Sequence, residues 1–141
     1  MATPTTKQQV EQIIELLEKN GETVSVAESL TAGGLANALT STSGSSSVFL
    51  GGITAYRNEF KQHMLGVDPK IIEEHTVVSE EVANAMGDGA NKTFGSTWAI
   101  ATTGAAGPAP LEGHAPGSVW IAIRGPINQA IQLNLEGNRE Q

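Results

Sequence analysis

Thr23-Val24-Ser25-Val26, followed at once by Ala27-Glu28-Ser29-Leu30-Thr31-Ala32-Gly33-Gly34, decides the fold. The first four residues alternate polar and apolar positions, the signature of a β-strand. Beyond the glycines, Leu35, Ala36, Ala38 and Leu39 form a small-residue pattern suited to a helix packed closely on a sheet. A strand that runs straight into a helix is the unit of α/β folds, and the turn between them presents unpaired backbone N–H groups to a ligand.

Upstream, Val10, Ile13, Ile14 and Leu17 follow the i, i+3, i+4, i+7 spacing of one helix face. Thr5 with Gln8 forms a capping box, so the helix covers about residues 6 to 19, and Asn20-Gly21 stops it. Downstream, the polar Ser41–Ser47 run is a loop, and Val48 to Tyr56 reads as a buried strand with a glycine bulge at Gly51-Gly52. A helix follows from about Asn58 to Leu65. Asp68-Pro69 then caps a short helical turn through Glu74. Ser79-Glu80-Glu81 opens another helix, with acids in the turn where they complement the macrodipole and with Val82, Met86 and Ala90 on one face.

Trp98–Thr102 and Ser118–Ile123 read as core strands flanking a glycine- and proline-rich loop, and a last strand covers Gln129 to Leu135. Five residues, Arg124-Gly125-Pro126-Ile127-Asn128, join the last two strands, short enough for a hairpin. Parallel units early and a hairpin late imply an α/β three-layer sandwich, a mixed central sheet covered by helices on both faces. No repeat or linker divides residues 1–141, which are read as one domain.

The composition narrows the function classes. Hydrophobic residues make up 39% and charged residues 16%, the balance of a globular chain. No apolar run reaches the ~18 residues of a membrane span, and the first residues lack a signal core, so no membrane partner and a cytoplasmic location are expected. The absence of cysteine removes thiolate nucleophiles and zinc-thiolate sites. A net charge of -7 argues against nucleic-acid backbones as partners, but not against a small anion held locally by backbone N–H groups.

Ser29 and Thr31, between strand and helix, are placed either to contact a ligand or to cap the helix. A serine needs a base to become a nucleophile. His63, His75 and His114 fall in a helix, a helix end and a loop with no triad context and no metal-ligand spacing, so neither metal nor cofactor is expected. Lys61 is the other base, with Tyr56 nearby in sequence. At its free pKa near 10.4 a lysine is neutral about once in 2,500 molecules at pH 7, so the role requires burial. Thr102-Thr103-Gly104-Ala105-Ala106-Gly107-Pro108 is either a plain connection or a place where backbone approaches a ligand.

Taken in order, Ala27-Glu28-Ser29-Leu30-Thr31, Gly52 to Lys61, Leu65-Gly66-Val67, His75 to Ala83 and Thr103 to Pro108 resemble the CinA C-terminal domain family, in register over roughly residues 8 to 139. Members include nicotinamide-nucleotide amidohydrolases, which convert nicotinamide mononucleotide to nicotinate mononucleotide and ammonia. The resemblance implies Ser29, Lys61 and Tyr56 as catalytic residues. It further implies Thr31, Gly33, Thr103, Gly104 and Arg139 as substrate contacts, the arginine meeting a phosphate. A nucleotide substrate and a homo-oligomer are implied as well.

Some positions depart from the family pattern. Leu30 stands where cysteine is common, Ala32 replaces a usual glycine, and Ala55 replaces a common threonine. The Pro108–Pro116 loop lacks the usual acidic, glycine-rich wording, and the family's terminal helix is expected to be missing. The alternative function is a noncatalytic nucleotide-binding module of the same fold.

Overall fold

The computed structural model describes residues 3–109 and 111–137. The chain forms α1 (Thr6–Asn20), β1 (Val24–Glu28), α2 (Gly34–Thr40), a 3₁₀ turn (Ser45–Ser47), β2 (Phe49–Thr54), α3 (Asn58–Leu65) and α4 (Pro69–His75). α5 (Glu80–Phe94), β3 (Trp98–Gly104), β4 (Ser118–Arg124) and β5 (Gln129–Asn134) complete it. The strands make one sheet in the order β2-β1-β3-β4-β5, parallel at β2-β1-β3 and antiparallel at β3-β4-β5. This is the mixed, helix-covered sheet expected from the sequence. No described helix is long and apolar enough to cross a membrane.

β1 is buried along its whole length, and its alternation divides two cores. Val24 and Val26 join Val10, Ile14 and Leu17 of α1 and Leu39 of α2. Ala27 joins Val82, Ala83, Met86 and Ala90 of α5 on the opposite face. The caps match the local sequence: Thr5 and Gln8 form a reciprocal capping box, Gly21 ends α1 in the left-handed conformation, and the Asp68 side chain accepts from the Lys70 N–H at 2.9 Å.

Several elements differ from the sequence reading. β2 is an edge strand whose residues are alternately half-buried and exposed rather than buried throughout, and Leu50 is solvent-facing. The apolar run there reflects a bulge: the register passes from Val24↔Phe49 to Ser25↔Gly51, leaving Leu50 as the extra residue. Ile13, placed by periodicity on the core face of α1, is exposed. β3 runs two residues past Thr102, because Thr103 and Gly104 pair with Trp120 and Val119 of β4.

α3 reaches α5 at a point of backbone contact. A Cβ added at Gly89 would collide with the carbonyl oxygen of Leu65, the last residue of α3. Only glycine admits this approach, and it holds the buried face of α3, Lys61 and Leu65, against the layer that covers β1 and β3. In an ordinary helix Gly→Ala stabilises by about 1 kcal/mol. Here Gly89→Ala is expected to destabilise by roughly 1–3 kcal/mol in urea unfolding, since backbone must move to admit the methyl group. A neutral or stabilising result would contradict the close approach.

Candidate active site

The first crossover carries the chain from β1 to β2 on one side, and the second returns it past β1 to β3 on the other. Open α/β sheets bind ligands at such a reversal, beyond the carboxyl ends of the strands. A cavity of about 370 Å³ lies there, lined by Ser29, Tyr56, Lys61, Val77, Thr103 and Gly104 among others. Ser29 follows β1 directly and extends its pairing with β3, its N–H donating to the Thr102 carbonyl at 3.1 Å. Gly104 closes β3 where a Cβ would meet the Ser118 carbonyl oxygen at 2.7 Å, so the strand end packs as bare backbone.

Neither Ser29 nor Thr31 caps α2, because their neighbour takes that role. Glu28, only 1% exposed, turns its carboxylate onto the start of α2, accepting from Leu35 N–H at 2.7 Å and Ala36 N–H at 3.1 Å. The carboxylate satisfies two of the helix's free donors and complements its dipole. The consequence is a correction: the N-terminus of α2 already holds an internal anion and offers no phosphate site. The Ser29 hydroxyl is left uncommitted, with no hydrogen-bond partner among the described residues.

Lys61 is 1% exposed, on the inner face of α3, and its Nζ donates to the Tyr56 carbonyl at 3.1 Å. Loss of hydration lowers its pKa from 10.5 to about 8, while the Glu112 carboxylate pulls it upward. At pH 7 about one molecule in ten therefore carries a neutral amine, against roughly one in several thousand for an exposed lysine. The amine and the Ser29 hydroxyl face one cavity without a direct hydrogen bond between them in this unliganded state.

Thr103, also 1% exposed, donates its hydroxyl proton to the Val77 carbonyl at 2.8 Å, so it can offer the cavity only lone pairs. Val77 N–H in turn donates to Glu112 at 2.8 Å, and His114 Nε2 lies 2.7 Å from Thr76 Oγ1. Sequence reasoning missed both Glu112 and Val77, because their contacts join segments 26 and 35 residues apart.

The remaining expected contacts are placed elsewhere. Thr31 Oγ1 pairs with Thr102 Oγ1 at 2.8 Å and lines a neighbouring hollow with Leu35 and Ile121. Gly33 serves as the left-handed residue entering α2, at φ 97°, and lines neither space. Arg139 lies outside the described residues. His63 and His75 are exposed, and His114 lies outside the cavity wall. Arg57 does line the cavity, half-engaged by an exposed pairing with Glu59 at 3.0 Å.

Because the folded pKa of Lys61 lies below its unfolded value, the unfolded chain binds more protons between pH 8 and 10.5. The burial penalty is full below pH 8 and is relieved as pH rises through that window. Against a Lys61→Met variant, which lacks this titration, the unfolding free energy of the wild type is expected to gain about 3 kcal/mol across it. Parallel pH dependences for the two proteins would show that the amine is not buried.

Residues 6–141 match a family model described as the CinA C-terminal domain. A CinA-like protein of Prochlorococcus marinus is 48% identical over 129 residues, covering 90% of this chain and 30% of that protein. A CinA-like protein of Synechocystis is 47% identical over 122 residues, covering 86% of this chain and 29% of that protein. The chain thus spans less than a third of the length of these two relatives. Among solved structures, a competence/damage inducible protein of Agrobacterium tumefaciens superposes with a TM-score of 0.92 at 31% identity, over 99% of this chain and 88% of that one. A competence-damaged protein (CinA) superfamily protein of Enterobacter cloacae gives 0.95 at 26% identity, over 99% and 84%. With the family match spanning nearly its whole length and the fold shared with these structures, the chain belongs to the CinA C-terminal domain family.

Proposed function

We propose that this chain is an amidohydrolase that converts nicotinamide mononucleotide to nicotinate mononucleotide and ammonia. The observation that carries the reading is a buried lysine amine with a lowered pKa, sharing one cavity with an uncommitted serine hydroxyl. Charge supports an anionic substrate. In a chain with 15 acidic and 8 basic residues, the described lining contains Arg57 and Lys61 and no carboxylate, which suits an anion, and Arg57 remains its cation when Lys61 is the neutral base.

In the proposed reaction the neutral amine of Lys61, steadied by its bond to the Tyr56 carbonyl, accepts the Ser29 proton directly or through one water. The Ser29 oxygen attacks the carboxamide carbon. Leu30 and Ala106 line the cavity, their N–H groups donate to no other described residue, and in the proposed reaction these groups stabilise the oxyanion. The lone pairs of Thr103 accept from the amide NH₂, orienting it. The carbon–nitrogen bond breaks, ammonia leaves with the proton held by Lys61, and water cleaves the seryl ester to release the acid.

The rival reading, a noncatalytic nucleotide-binding module, is favoured by one observation: Lys61 is bonded to Tyr56 rather than to Ser29. Ammonia release from nicotinamide mononucleotide decides between them. The amidase is expected to release ammonia in the wild type and not in Ser29→Ala, with the rate rising with pH and levelling off above about 8 as Lys61 loses its proton. Nucleotide binding seen by calorimetry without turnover at any pH would establish the rival.

A further inference from the structure

The loop between β3 and β4 contains a residue at a backbone conformation it does not favour. Leu111 and His114 exchange hydrogen bonds, Leu111 N–H to His114 O at 3.1 Å and His114 N–H to Leu111 O at 2.8 Å. The two residues between them, Glu112 and Gly113, lie at φ 49° and φ 81°. Positive φ at both central positions is the pattern of a two-residue type I′ turn, where asparagine, aspartate or glycine belongs at the first. Glutamate there is disfavoured, because its Cβ crowds the neighbouring carbonyl oxygen. Strain of this kind persists where surrounding contacts impose it, and it marks positions with a task.

The contact that holds Glu112 is the bond from Val77 N–H to its carboxylate at 2.8 Å. Asparagine or aspartate would suit the turn better but is one methylene shorter. Val77 lines the cavity, and its carbonyl takes the proton of Thr103. A continuous path therefore runs from the strained turn, through the backbone of the single residue Val77, to a hydroxyl in the wall of the site. The same carboxylate is the charge that acts on Lys61. Among the described residues Glu112 is the one acid whose charge acts on Lys61: Asp88 on α5 is taken by Arg124 at 2.8 Å, Glu81 lies beside His75, Glu59 on α3 pairs with Arg57, and Glu28 is turned onto α2. Tyr56 and Arg57 are the other titratable groups in the described wall.

We propose that Glu112 is a positioning residue for the proposed amidase site, fixing Val77 so that Thr103 presents only lone pairs, and supplying from behind the cavity wall a negative charge that acts on Lys61. The inference rests on the amidase reading, but one of its readouts does not. Two variants separate the roles. Glu112→Asn gives the turn its preferred residue and removes the reach, and Glu112→Gln keeps an acceptor for Val77 while removing the charge.

Each variant is compared with the wild type in urea unfolding, in kcat and KM for nicotinamide mononucleotide across pH, and in an NMR titration of the Lys61 amine without substrate. Glu112→Asn is expected to fold at least as stably as wild type, to lose roughly ten- to a hundredfold in kcat and to show a Lys61 midpoint below about 8. Glu112→Gln is expected to keep kcat on the alkaline plateau while its Lys61 midpoint falls. A Glu112→Asn protein with wild-type kcat and wild-type Lys61 midpoint would overturn the proposal. If the wild type releases no ammonia, the amidase reading fails by itself, and the Lys61 midpoints still decide whether Glu112 sets the charge around that amine.

Discussion

The contact between Leu65 and Gly89 fixes how closely α3 approaches the rest of the fold, and the site depends on it. Because the helices touch backbone to backbone, the inner face of α3 is buried, and the residue on that face one turn before Leu65 is Lys61. Burial there disfavours the ammonium by about 3 kcal/mol, a large share of the 5–15 kcal/mol by which a domain of this size is stable. The two apolar cores on either face of β1 offset the penalty, and Ser29, at the end of that strand, shares the space the amine faces.

A second constraint concerns anions. The start of a helix behind a β-strand is an attractive place for a phosphate, but here Glu28 supplies the negative charge internally. This arrangement frees Ser29 from capping and leaves Arg57 and Lys61 as the cations in the described wall of the cavity. It also ties the chemistry to the fold, because the residue that caps α2 is the last of β1 and the residue after it is the proposed nucleophile.

The sequence showed most of the architecture because the decisive signals are local. The capping box at Thr5, the left-handed Gly21, the Asp68-Pro69 helix start and the alternation of β1 each depend on residues within a few positions of one another. What it misjudged depends on distant partners. Leu50 reads as core by hydrophobicity and is the extra residue of an edge bulge, and Thr103 reads as loop until β4 pairs with it. In the site, Ser29, Tyr56, Lys61, Thr103 and Gly104 meet at one cavity, whereas Thr31 and Gly33 are occupied in structural roles beside it. Glu112 was invisible because nothing in Leu111-Glu112-Gly113-His114 announces a contact with Val77, and the turn's own preference argues for a different residue.

If close packing of α3 on α5 sets the character of Lys61, the two should change together. The direct measurement is an NMR titration of the Lys61 amine in the wild-type protein and in Gly89→Ala, side by side. A midpoint near 8 in the wild type, moving upward toward 10.5 once the added methyl group pushes α3 outward, is the expected result. A wild-type Lys61 that titrates near 10.5 would contradict the buried base on which the proposed chemistry depends.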